Sequence, residues 1–435
     1  MNIFFCSVSL IVPFFFLSGE PCNAQTFSTP EAAYASYFSE LKAAEALSVD
    51  LWDRDMYGPL LLVNPKTREV YSNFPDAGGA LQRDGDVYHG ALPAYVNIFN
   101  TIADWNGRVW AMVMLPLPGN SQDRINLMAH ELFHVAQLSL GFRGYSPDNS
   151  HLDDKNGRIL MRLEIEALRK ALEATSTYDM KKCLTDAMVF RQYRYILFPQ
   201  AKTTENLLEL NEGLAEYTGV MVCNRSREEA VYHFERGLNQ FVRFTTFVRS
   251  FAYETIPIYG YLLQQSDKYW NKEITPESNL ADFFIHDFGL IVPSNLPSAE
   301  RAIEDQYDGN LIRAEETNRE TARQGQVEEY RKEFVNAPHL EIQLESRHIS
   351  FDPTGVIPLD NLGNVYSKIR IVDNWGILTV ENGALLSLKW DKITVSNPTK
   401  IDGENVSGNG WTLQLYEPYN VIEDSDTGNY LLSKR

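Results

Sequence analysis

The spacing of apolar and polar residues divides the chain into three textures. "STPEAAYASYFSELKAAEAL", within residues 26–48, carries apolar side chains at helical intervals. Ser28 or Thr29 is placed to cap that helix, and Pro30 sits in its first turn. Short β-like runs follow, "GPLLLVN", "EVYSNF" and "GDVYHG", separated by Asn-Pro-Lys and Gly-Gly turns. "RVWAMVMLPLP" (108–118) is the strongest strand candidate, ended by Pro116 and Pro118. From 121 to about 335 the pattern is helical, with apolar residues three to four apart in "RINLMAHELFHVAQLSL", "GRILMRLEIEALRKALEA", "LTDAMVFRQYRYIL", "ENLLELNEGLAEYTGVMV" and "EEAVYHFERGLNQFVRF". The charged stretch from Ser298 to Val335 reads as a solvated helical connector. After Pro338 the period shortens to two between Gly and Asn turns, predicting a small antiparallel β-sandwich over 339–435. The fold class expected is therefore α+β, with an N-terminal α/β part to about residue 120 and a helical part over 121–338.

Composition narrows the setting. A chain of 435 residues is long enough for two or three domains. Its net charge of −19 argues against nucleic acid or an anionic membrane surface as partner. The opening "MNIFFCSVSLIVPFFFLSGEPCNAQ" has an apolar run from Ile3 to Leu17, too short for a membrane span and soon followed by small polar residues. It reads as an export signal of residues 1–24, which implies a periplasmic or extracellular protein with no transmembrane span in its mature part. Cys183 and Cys223 then remain, either as a disulfide or as two separate buried thiols; no C-x-x-C spacing supports a thiolate metal site.

Within the first of the long helices, His130, Glu131 and His134 spell H-E-x-x-H. Residues four apart share a helix face, so both imidazoles can reach one ion. Zinc suits such a pair, since it takes nitrogen donors tetrahedrally and has no redox chemistry to control. Glu131, next to them, is placed to act as a general base on a water. A third protein donor is still required. The metzincin solution is absent, because Gln137 and Leu140 stand where that pattern has Gly and His.

"LLELNEGLAEYTG" (207–219) supplies an acidic candidate. Asn211-Glu212-Gly213-Leu214-Ala215 together with H-E-x-x-H resembles the gluzincin class of zinc peptidases, in a divergent bacterial form similar to peptidase MA-like proteins. The resemblance implies a zincin-like domain over residues 25–338, with Glu212 as third zinc ligand. Glu216, one turn on, is placed to orient a zinc histidine. Between His134 and Glu212 lie 77 residues, more than in the best-known subfamilies. The resemblance also implies a tyrosine that hydrogen-bonds the developing oxyanion. "FAYETIPIYGYLLQQ" places Tyr253 there, with Ile256 where the family has Gly, and Tyr259 and His233 as alternatives. In this frame "VWAMVMLPLP" is the candidate edge strand that pairs with an extended peptide.

Two functions follow as expectations. One is an exported zinc-dependent hydrolase, most readily a metallopeptidase acting on peptides or proteins. The other is an inactive binding or scaffold protein of the cell envelope that works through its C-terminal β domain, with Trp375, Trp390 and Trp411 as a stacking surface.

Overall fold

The computed structural model describes residues 29–142, 144, 147–351 and 356–434; the expected export signal over residues 1–24 lies outside them. The protein is α+β, and its chain divides into two compact units, one ending at Arg313 and one comprising Ala314–Arg435. No helix among the described residues is long and apolar enough to cross a membrane.

The first unit begins with α1 (Pro30–Trp52), whose first turn is capped by the Thr29 hydroxyl accepting from the Ala32 amide. Six strands follow: β1 (Leu60–Val63), β2 (Glu69–Ser72), β3 (Gln82–Asp84), β4 (Val87–Ala91), β5 (Thr101–Trp105) and β6 (Arg108–Met114). They form one sheet in the order β3-β4-β2-β1-β6-β5, in which β1 and β6 pair parallel and every other pair is antiparallel. Side chains alternate across it. Leu60, Leu62, Ala111 and Val113 point into the helical core, while Leu61, Val63, Trp110 and Met112 pack into a second cluster with Val70 and Trp105. Burial on both faces explains why "LLLV" reads as an unbroken apolar run. The strand expected at the edge, β6, lies inside the sheet; β5 and β3 are its edges. β5 and β6 are joined through Asn106 and Gly107, both at positive φ (50 and 78°), the requirement of a tight type I′ hairpin turn.

The helices are α2 (Ser121–Gln137), α3 (Lys155–Glu173), α4 (Thr177–Leu197), α5 (Ala201–Leu208), α6 (Leu214–Val222), α7 (Arg227–Phe241), α8 (Ala252–Leu263), α9 (Leu280–Asp287), α10 (Leu296–Ile303) and α11 (Gly309–Arg331). Residues Glu209–Gly213, between α5 and α6, form a wider π-helical turn. The acidic turn before α3 is its cap, with Asp154 accepting from the amides of Asn156 and Gly157. Cys183 and Cys223 are free thiols; the Cys223 thiol donates to the Gln122 carbonyl.

In the second unit, strands from His339 to Lys434 build a seven-stranded and a six-stranded sheet, mostly antiparallel. Their inner faces share one apolar core that includes Leu340, Ile371, Leu378, Ile393 and Leu413. Trp375 and Trp411 belong to that core and are only 1% and 2% exposed, so they form no stacking surface. Trp390 is half-buried against Phe351 and Tyr366.

Candidate metal centre

Helix α2 starts at Asn120, whose side chain accepts from the Asp123 amide, and runs without a break through the H-E-x-x-H residues. It packs between β6 and α6, with the Phe133 ring against Trp52 of α1. The neighbour helix can come close because Gly219 of α6 lacks a side chain; a Cβ there would sit 2.7 Å from the Asn126 carbonyl oxygen. Gly213 does the same for α8, since its Cβ would meet Ile256 at 2.8 Å. That explains the glycine of Asn-Glu-Gly by packing, and it shows Ile256 filling the space opposite.

These approaches bring His130, His134 and Glu212 together. The two Nε2 atoms are 3.1 Å apart, and Glu212 Oε2 lies 3.5 Å from His130 Nε2 and 3.3 Å from His134 Nε2. The three residues form a group that can hold a metal ion. The proton positions sharpen this. His130 Nδ1 faces the Glu216 carboxylate at 2.9 Å, and His134 Nδ1 faces the Gln137 side-chain oxygen at 2.8 Å. Both partners only accept, so each Nδ1 carries hydrogen and each ring turns its Nε2 inward. Two imidazole nitrogens and a carboxylate oxygen converge there, an arrangement that a proton or a metal ion can bridge. Donors about 2.0–2.2 Å from a tetrahedral ion lie ~3.3–3.5 Å from one another; the two distances to Glu212 fall in that range, and the 3.1 Å between the imidazole nitrogens is slightly shorter.

Electrostatics agree. Burial works against a charged His130, yet its hydrogen bonds to the Glu212 and Glu216 carboxylates outweigh this and hold its pKa up to about 10. His134 is likewise raised, against burial, by Glu212. Glu212 is held far below the usual carboxylate range: burial opposes this, but the two histidines win. The centre therefore attracts positive charge strongly, as a proton when no metal is bound.

The surrounding shell is built of hydrogen bonds. Glu216 uses both oxygens, one toward His130 and one accepting from Asn126 Nδ2 at 2.8 Å. Asn126 in turn accepts from Arg225 at 3.2 Å. Glu212 accepts from Asn211 Nδ2 at 3.0 Å and from the Tyr253 hydroxyl at 2.6 Å. The Tyr253 ring lies parallel to His130, with centroids 5.4 Å apart. Burial, then Glu212, pushes its phenol well up, so it serves as a donor. Glu131 is 5% exposed, and its Oε2 is buried without a hydrogen-bond partner. Burial raises its pKa, against the pull of both histidines.

The structure thus gathers His130, Glu131, His134, Glu212, Glu216 and Tyr253 into one place. It sends the two alternatives elsewhere. Tyr259 donates to Glu164 at 3.1 Å in a separate cluster, and His233 stands 3.6 Å from Asp123. Reading the sequence missed Asn126 and Gln137. A signal was present: positions 126, 130, 134 and 137 form a polar stripe on one face of an otherwise apolar stretch of α2.

A second buried acid cluster adjoins the first. Arg191 bonds Glu164 at 2.6 Å and grips Glu209 with two bonds of 2.8 and 2.7 Å. Arg194 grips Glu205 at 2.6 and 2.7 Å and reaches Glu164 at 2.8 Å. Thr255 of α8 donates to Glu209 as well. These bonds anchor the start of the π-helical turn that carries Glu212.

Compared with known proteins, the chain matches no family model, no curated protein and no solved structure.

Proposed function

We propose that the protein is an exported zinc-dependent hydrolase, a metallopeptidase of zincin-like architecture, with His130, His134 and Glu212 as the metal ligands. The observation that carries this reading is the convergence of three electron-rich donors beside Glu131, one carboxylate oxygen of which is buried without a hydrogen-bond partner. Three protein donors leave one position open, as hydrolytic zinc sites require. Zinc, when bound, would supply Lewis acidity to the scissile carbonyl and to the attacking water. Glu131 takes the proton from that water and returns it to the leaving amine; its raised pKa suits a group that must both accept and give. Tyr253 offers its hydroxyl to the oxygen that gains charge. Glu216 and Gln137 hold the imidazoles by their Nδ1 hydrogens.

The sheet supports a peptide as substrate. β5 packs against α2 and forms one edge of its sheet, so its outer backbone groups are available to pair with an extended chain. An export signal at residues 1–24 would deliver this activity to the periplasm or the medium.

The test is a peptide-library digest with zinc-loaded wild-type protein and the Glu131→Gln variant. The proposal expects cleavage by the wild type and a loss of at least about 100-fold in E131Q, with zinc retained. Zinc bound by the wild type with no peptide cut would point instead to the scaffold function. Equal cleavage by E131Q would remove Glu131 from the mechanism.

A further inference from the structure

We infer that Gln137 is a positioning residue that locks His134 and the turn bearing Glu212 into one arrangement, so that a single amide sets two of the three metal donors. The inference rests on the metal reading above and concerns how that centre is held.

The π-helical turn is where it begins. On a regular helix, residues three apart share a face. Glu209 and Glu212 do not behave so: Glu209 is gripped by Arg191 and Thr255, whereas Glu212 faces the histidines. The wider turn of Glu209–Gly213 rotates one carboxylate away from the other. Such a turn shifts its carbonyls out of the regular ladder, and buried carbonyls require donors. Gln137, the last residue of α2 and only 2% exposed, supplies one. Its Nε2 donates to the carbonyls of Leu210 and Asn211 at 3.2 and 2.7 Å, both inside the turn.

Those two bonds also decide the amide's orientation. With the nitrogen committed to two acceptors, the oxygen must face His134, where it lies 2.8 Å from Nδ1. An amide oxygen cannot donate, so His134 keeps its hydrogen on Nδ1 and presents Nε2 to the centre. One side chain therefore selects the tautomer of one donor and bridges α2 to the turn carrying another. No other residue type supplies both halves at this length. Glutamate accepts but cannot donate, and methionine fills the space but does neither.

The experiment uses zinc itself as the probe, in competition titrations of the full chain as wild type, Q137E and Q137M. Zinc affinity should fall about 10- to 100-fold in both variants while one ion per chain still binds at saturation. Two further readouts separate positioning from mere stability. In the zinc-loaded protein, the His134 Nδ1 proton should stay protected from exchange in Q137E and exchange freely in Q137M. Backbone amides of residues 209–216 should exchange faster in both. If Q137M does not fold, the near-isosteric Q137E decides on affinity and exchange alone. Zinc binding within twofold of wild type in the folded variants overturns the role of Gln137 and leaves the metal reading standing. A wild-type protein that binds no zinc overturns both.

Discussion

Two buried acid clusters lie side by side in the helical unit, joined through one turn, and they are closed in opposite ways. Glu164, Glu205 and Glu209 are met by Arg191 and Arg194, whose guanidiniums pair with them at 0% exposure. Glu212 and Glu216, with Glu131 beside them, are met by imidazole, amide and phenol groups. In the first cluster every carboxylate is met by a guanidinium of the chain itself. The second gathers carboxylates and imidazole nitrogens around one point and can hold a metal ion there. Six glutamates in similar burial thus fall into two sets: one fixes the framework, and the other surrounds the group that can hold a metal ion.

Breaking the arginine-paired cluster should have the larger effect on folding. Arg191→Met leaves Glu209 without a cation and Glu164 with Arg194 alone, and removing one partner of a buried pair costs about 3–5 kcal/mol. Urea unfolding measures it; a loss below about 1 kcal/mol would mean that the two clusters do not differ in the way described.

A further acid sharpens the comparison, because it has neither arginine nor ligand role. Glu45 of α1 is fully buried, and both its oxygens lack hydrogen-bond partners. Burial raises its carboxyl from 4.5 to about 7, against a smaller opposing effect of Ser48. The folded chain then holds this proton while the unfolded chain releases it. Stability should fall as pH rises from 4.5 to about 7 and level off above that. The contribution is about 3 kcal/mol. It should vanish from the pH profile of Glu45→Gln measured against wild type, and parallel profiles would contradict it.

The open cluster should respond through its protons. At pH 8 the metal-free centre keeps the His130 proton, because Glu212 and Glu216 outweigh burial and hold its pKa near 10. A metal ion must displace that proton. Titration calorimetry in buffers of different ionisation enthalpy should show one proton released per zinc, and affinity should rise about tenfold per pH unit below that pKa. Zinc uptake with no proton release would contradict the charge state assigned to the centre.

The residues of the candidate metal centre were legible in the sequence because chemistry fixes their types and helical spacing fixes their faces. His130, Glu131 and His134 follow from one helix, and Glu212 with Glu216 from another. The scaffold beneath was less legible. The place of β6 inside the sheet depends on its pairing with distant β1, which its own composition does not encode. The edge strand β5 was passed over although Asn106-Gly107 signals a hairpin. Gln137 and Asn126 carry no motif beyond a polar stripe on α2, and their partners, the Leu210 and Asn211 carbonyls of the π-helical turn and Glu216 of α6, lie far along the chain. The π-helical turn was invisible for a related reason: one register shift inside a helix leaves the apolar period almost unchanged.

The most direct test of the central claim is the zinc content and thermal unfolding of the purified protein after chelation and back-titration, compared with Glu212→Ala. The account predicts one zinc per wild-type chain and about 2.7 kcal/mol of added stability at zinc concentrations 100-fold above Kd, with both effects abolished or sharply weakened in E212A. A wild-type chain that takes up no metal, or an E212A chain that binds it equally well, would contradict it.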